Sequence, residues 1–177
     1  MARIQPSNDP GPDARAMLDQ VRATLGGTPN IFTTMAHAPS VFRSYLQFSG
    51  SLADGVLSPG VREQIALALA GANRCGYCAA AHAMIAKGAG VSEADASGAL
   101  RGRVSDAKTQ AAVTLAIRIM DARGDVSDEA IEEARAAGWS DGEILEITAH
   151  VALNVLTNFI NGVARTDIDF PPVTLPG

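Results

Sequence analysis

Cys75 and Cys78 are the only cysteines in this 177-residue chain, and His82 follows them by four residues. With Glu63 upstream they form the series Glu-x11-Cys-x2-Cys-x3-His. Those four residue types supply a nucleophilic thiol, a resolving thiol, a base and an acid. On a helix, positions 75, 78 and 82 fall within about 60° of one another around the axis. Imidazole and the Cys78 thiol are then i and i+4 neighbours. The two thiols are i and i+3, close enough to oxidise to a disulfide with little backbone movement. The chemistry indicated is thiol redox chemistry.

Glu63 meets a geometric condition. On one continuous helix it lies roughly 18 Å along the axis from Cys75, so it joins the site only if the chain bends, and Gly71–Asn73 is the expected bend. Asn73 would cap a new helix beginning near Cys75. The free N–H groups of such a helix favour a thiolate at Cys75 first and at Cys78 less strongly. Tyr77, between the cysteines, either contacts substrate or packs. His37 and His150 read as core or interface histidines.

The elements that must carry these residues are all helical. Pro, Gly and capping residues punctuate the chain at Pro12, Gly26, Pro29, Pro39, Ser58-Pro59, Gly88, Ser92, Asp106, Ser127 and Ser140. Ser140-x2-Glu143 is a capping box opening a long last helix. Alanine and leucine dominate an apolar content of 47% with only 5% aromatics, which favours closely packed helices over sheets. Period-2 alternation is lacking. The expected organisation is an N-terminal arm (1–11), one all-α domain (12–165) with its redox core at about 58–90, and a proline-rich tail (166–177).

A net charge of −5 without a dense Lys/Arg cluster argues against nucleic acid as a partner. The N-terminus lacks the apolar core of a secretory signal. The apolar stretch 144–163 contains Glu146, His150, Asn154, Asn158 and Asn161, so it reads as a buried helix of a soluble protein rather than a membrane span. The expected compartment is the cytoplasm, where a Cys-x-x-Cys is more often redox-active or metal-binding than structural. Zinc is the rival reading, but a structural zinc site takes four ligands. Only Glu63, His37 or His150 is available to complete the set, and neither metal nor cofactor is expected.

The four-residue series resembles that of the AhpD-like alkylhydroperoxidases of the carboxymuconolactone decarboxylase superfamily, at every position and spacing. GGTPNIF upstream and NVLTNFINGVARTDIDFP downstream resemble the peroxidase-related members, so the resemblance spans about residues 20–172. It implies an AhpD-like helical bundle and a peroxidase that reduces hydroperoxides through a sulfenic acid and disulfide cycle. By position, Cys78 is the peroxidatic thiol that becomes the sulfenic acid, and Cys75 donates a proton and then resolves it. His82, backed by Glu63, relays protons. The helix dipole alone favours Cys75; the resemblance decides for Cys78. It also implies a homo-oligomer, trimer or hexamer, recycled by a thiol or lipoyl reductant. Better-known AhpD proteins carry His where this chain has Tyr77, so their relay and their lipoylated partner do not transfer directly. Two other readings use the same face: a zinc-stabilised or non-catalytic binding protein, and a carboxymuconolactone decarboxylase-like enzyme acting on a small organic acid.

A shift of 83 residues lays Glu146, Asn158, Asn161 and Arg165 on Glu63, Cys75, Cys78 and His82. Either the chain is a duplicated helical unit with one active half, or these asparagines cap and bridge buried helix contacts.

Overall fold

The computed structural model describes residues 1–176; the last residue of the tail, Gly177, lies outside them. Among the described residues there are nine helices and no strand: α1 (Pro12–Leu25), α2 (Asn30–Met35), α3 (Pro39–Ala53), α4 (Pro59–Ala72), α5 (Gly76–Gly88), α6 (Glu93–Ala99), α7 (Ala107–Asp121), α8 (Asp128–Ala136) and α9 (Asp141–Ala164). The all-α expectation holds, and the starts follow local chemistry. Ser58, Ser92, Asp106 and Ser140 each accept a backbone N–H from the first turn of the helix they precede. At α9 the Glu143 carboxylate returns the bond to the Ser140 N–H, closing the capping box.

α4 is the central element. Ile65 through Gly71 are all buried, as expected for a helix apolar around its whole circumference. Its sides serve two cores. Leu67 and Ala70 join Met17, Phe32, Phe42 and Ala79 on one side. Ile65, Ala68 and Leu69 join Val113, Leu115, Trp139 and Ile147 on the other. α5, α6, α7 and α9 all pack against this helix. Gly71 is required by that closeness, since a side-chain carbon there would run into the Leu100 carbonyl group.

α9 is long and apolar enough to cross a membrane by length and composition. Its inner face instead supplies Ile144, Ile147, Val151 and Leu153 to the protein interior. It therefore packs as a core helix.

The two terminal segments are both docked. Arg3 and Ile4 donate their backbone N–H groups to the Ala164 carbonyl at the end of α9, and Ser7 donates to Thr33. The His37 ring pairs with the Gln5 carbonyl at 2.9 Å, giving this histidine a structural place. The tail crosses α2 and the start of α5. Asp169 accepts the Asn30 N–H at 2.8 Å, and Phe170 meets Tyr77 edge-on at 5.5 Å.

Candidate functional site

α4 and α5 form a helical hairpin, and the turn between them builds the site. α4 stops at Ala72 and Asn73 caps it. Arg74 then takes left-handed backbone, φ 53°, reversing the chain. The bend therefore sits at Asn73–Cys75, slightly beyond the expected Gly71–Asn73. Gly71 remains helical. The capping residue also differs from expectation: Cys75, not Asn73, is the N-cap of α5, and its sulfur accepts the Cys78 N–H at 3.3 Å. A cap needs an acceptor on a short side chain, and here the sulfur supplies it.

The reversal brings Glu63 to the second half of the motif. Its Oε2 lies 2.7 Å from His82 Nδ1, with the two side chains 16% and 22% exposed. That pair is sheltered but touches solvent. With Glu63 as carboxylate, Nδ1 must carry the hydrogen, and Nε2 is left with its lone pair for proton transfer. The condition set by the sequence is met by antiparallel packing of two helices, in place of an 18 Å separation on one (about 1.5 Å per residue).

Cys75 and Cys78 are joined as a disulfide, with Cα atoms 5.3 Å apart, within the usual span for such bonds. Both are buried, at 8% and 3% exposure. Cys78 has a partner that sequence reasoning placed only in a structural network. Asn161 Nδ2, from α9, donates to Cys78 Sγ at 3.3 Å. One turn earlier on α9, Asn158 Oδ1 accepts from Asn73 at the bend, at 2.9 Å. The asparagines that share the motif's spacing thus lie against the motif itself and tie α9 to the turn. The remainder of the shifted series is built differently. Residues 141–164 form one unbroken helix, and Arg165 ends it with left-handed backbone. Glu146 accepts the Val56 and Leu57 N–H groups at 2.8 Å each. The only signal for Asn161 in the sequence was its offset from Cys78.

Beside Glu63 and His82 opens a cavity of about 220 Å³, whose wall includes Tyr45, Arg62, His150 and Thr157. Burial, reinforced by the nearby Arg62 cation and opposed by Glu146 and Glu63, pushes the His150 imidazole below its ordinary pKa. This histidine is therefore a neutral wall residue, in keeping with its reading as core. Tyr77 is not part of that wall. Its hydroxyl accepts the Ile31 N–H at 3.1 Å, its ring is 5% exposed, and burial drives its pKa well above the usual phenol value. Of its two readings, the geometry matches packing. A larger cavity, about 430 Å³, lies among Arg118 on α7, Glu133 on α8 and Asp125 in the loop between them, and holds neither thiol nor imidazole. Among the described residues no three His, Cys, Asp or Glu side chains converge as a metal site.

The chain is similar to known proteins in sequence profile and in fold. The sequence profile of the carboxymuconolactone decarboxylase family matches residues 39–122, which contain the whole motif. Comparison with curated proteins finds no sequence match. Among solved structures, an alkylhydroperoxidase AhpD core, peroxidase-related protein from Ralstonia eutropha superposes with a TM-score of 0.86 at 26% identity, covering 95% of this chain and 92% of that one. A peroxidase-related protein from a Silicibacter species gives 0.79 at 20% identity, covering 96% and 90%. A debrominase gives 0.77 at 20% identity, covering 94% and 91%. The last two are likenesses of fold.

Proposed function

The chain belongs to the AhpD-like carboxymuconolactone decarboxylase superfamily, and on that premise we propose that it is a thiol-dependent peroxidase. The observation that carries the reading is the Glu63–His82 pair at 2.7 Å, held by the same hairpin that holds the Cys75–Cys78 disulfide. A base oriented by a carboxylate, one turn from a thiol, is the arrangement that a deprotonated nucleophile needs.

In the proposed cycle the Cys78 thiolate attacks the distal oxygen of a hydroperoxide. The O–O bond breaks, the sulfur becomes a sulfenic acid, and the alkoxide leaves with a proton delivered through Cys75 or His82. The Cys75 sulfur then attacks Cys78 and displaces the hydroxyl as water, giving the disulfide. A dithiol, protein-bound or lipoyl, supplies two electrons and two protons to restore the thiols. Asn161 fits this cycle as a hydrogen-bond donor to Cys78 Sγ, which stabilises negative charge there. The cavity beside His82, whose wall includes the imidazole but neither thiol, is the proposed approach for a small peroxide. A reducing cytoplasm is the compartment in which such a disulfide turns over.

Two single variants test the assignment. Cys78→Ser is expected to abolish hydroperoxide consumption. Cys75→Ser is expected to accumulate a sulfenic acid at Cys78 that dimedone traps. Trapping at Cys75 in the Cys78→Ser protein, with turnover retained, reverses the two roles. Retained turnover of an organic acid in the double Cys→Ser variant, without peroxide, replaces the reading with the decarboxylase-like one.

A further inference from the structure

The outer face of α9 leaves large apolar side chains uncovered along the length of the helix. Leu145 is 70% exposed, Leu156 36%, Phe159 60% and Val163 59%. Ala149 and Ala152 lie between them. These six residues are spaced 4, 3, 4, 3 and 4 apart and form a strip about 27 Å long. No charged side chain interrupts it, because Glu146, the only charge between Ile144 and Ala164, is turned inward onto Val56 and Leu57. A monomer seldom leaves so long an apolar strip in water.

The pattern reads the same from either end. Set antiparallel to itself about the level of Asn154, the strip places Leu145 opposite Val163, Ala149 opposite Phe159 and Ala152 opposite Leu156. In the two inner layers a large side chain therefore meets a small one, as interdigitating helices require. The ends agree as well. Glu143 at the start of α9 comes level with Arg165 at its end, and Arg3 is fastened there by its bond to the Val163 carbonyl. Antiparallel helix dipoles add to that match, whereas a parallel pairing sets acid beside acid. A surface complementary to itself under a two-fold rotation is the requirement for an isologous pair.

We propose that α9 of a second copy of this chain packs antiparallel on this strip, with Ala152 of each copy against Leu156 of the other. The pairing is independent of the peroxidase reading, since it uses only the outer face of α9. It buttresses the site all the same: the opposite face of α9 carries Asn158 and Asn161, which hold the bend and Cys78. A two-fold contact of this kind builds dimers or, repeated about a three-fold axis, hexamers. It does not build a bare trimer.

The test is the mass of the full chain in solution, read by light scattering at tens of micromolar. An even-numbered assembly is expected, and Phe159→Glu should reduce its mass at least twofold while helical circular dichroism is retained. A register test stands beside it, in chains carrying Cys75→Ser and Cys78→Ser. Ala152→Cys coexpressed with Leu156→Cys should oxidise to a covalent dimer, while either variant alone should cross-link several-fold less. A monomeric wild type overturns the proposal and assigns the strip to another partner. An assembly that Phe159→Glu leaves intact, or equal cross-linking by the single variants, overturns it too.

Discussion

Replacing Glu63 by glutamine removes a charge from the site and almost nothing else. Gln keeps the length and one carbonyl oxygen, which can still accept the His82 Nδ1 hydrogen across the 2.7 Å contact. What is lost is the difference between a charge-assisted bond, about 1.5–3 kcal/mol, and a neutral one, about 0.5–1.5 kcal/mol. That difference, roughly 1.4 kcal/mol, corresponds to about a tenfold change in rate if the imidazolium formed at His82 stabilises the transition state. Glu63→Ala removes the bond entirely and leaves Nδ1 without its partner at a largely sheltered position. Its expected loss is on the order of a hundredfold, twice the free-energy change. The assay is stopped-flow mixing of fully reduced protein with a small hydroperoxide, following disulfide formation by mass spectrometry of quenched samples. Equal helical signal in the three proteins excludes a folding effect. A wild-type rate for Glu63→Gln would refute the argument, because the carboxylate would then contribute only shape.

Three further outcomes follow from the packing. His150 resists protonation when folded, so below about pH 6.5 the unfolded chain binds the extra proton. That contribution to stability is fully present above this pH and declines as pH falls. His150→Asn should flatten the pH dependence of the urea midpoint between pH 5 and 7, within about that window. Gly71→Ala drives a methyl group into the Leu100 backbone, and overpacking of that kind costs about 1–3 kcal/mol. A lower denaturation midpoint at unchanged slope is the expected record. Tyr77→Phe strands the buried Ile31 N–H, which costs about 1–3 kcal/mol. Peroxide kinetics should be unchanged, and an altered KM would return Tyr77 to the substrate pocket.

The helices were legible because their boundaries are local. Ser58, Ser92, Asp106 and Ser140 announce helix starts through their own side chains, and the structure places a cap at each. The i, i+3 and i+4 relations of Cys75, Cys78 and His82 were legible for the same reason. Glu63 was not, because its place depends on the exact turn of the chain. That turn rests on Arg74, a residue with no sequence preference for left-handed backbone. Gly71 looked like the hinge and is instead a point of close approach to Leu100, which no local pattern reveals. Asn161 was visible only as an offset, since its contact with Cys78 joins residues 83 apart. Tyr77 shows the same limit from the other direction: its partners, Ile31 and Phe170, come from distant parts of the chain.

In the proposed cycle the Cys75–Cys78 disulfide is the product of peroxide reduction. Reduced, metal-free protein titrated anaerobically with a small hydroperoxide tests it most directly, with peroxide and thiols counted in the same samples. One Cys75–Cys78 disulfide should form for each peroxide consumed, with no thiol lost in the Cys78→Ser protein. Thiols that persist in the presence of excess peroxide, or peroxide consumed with both thiols intact, would contradict it.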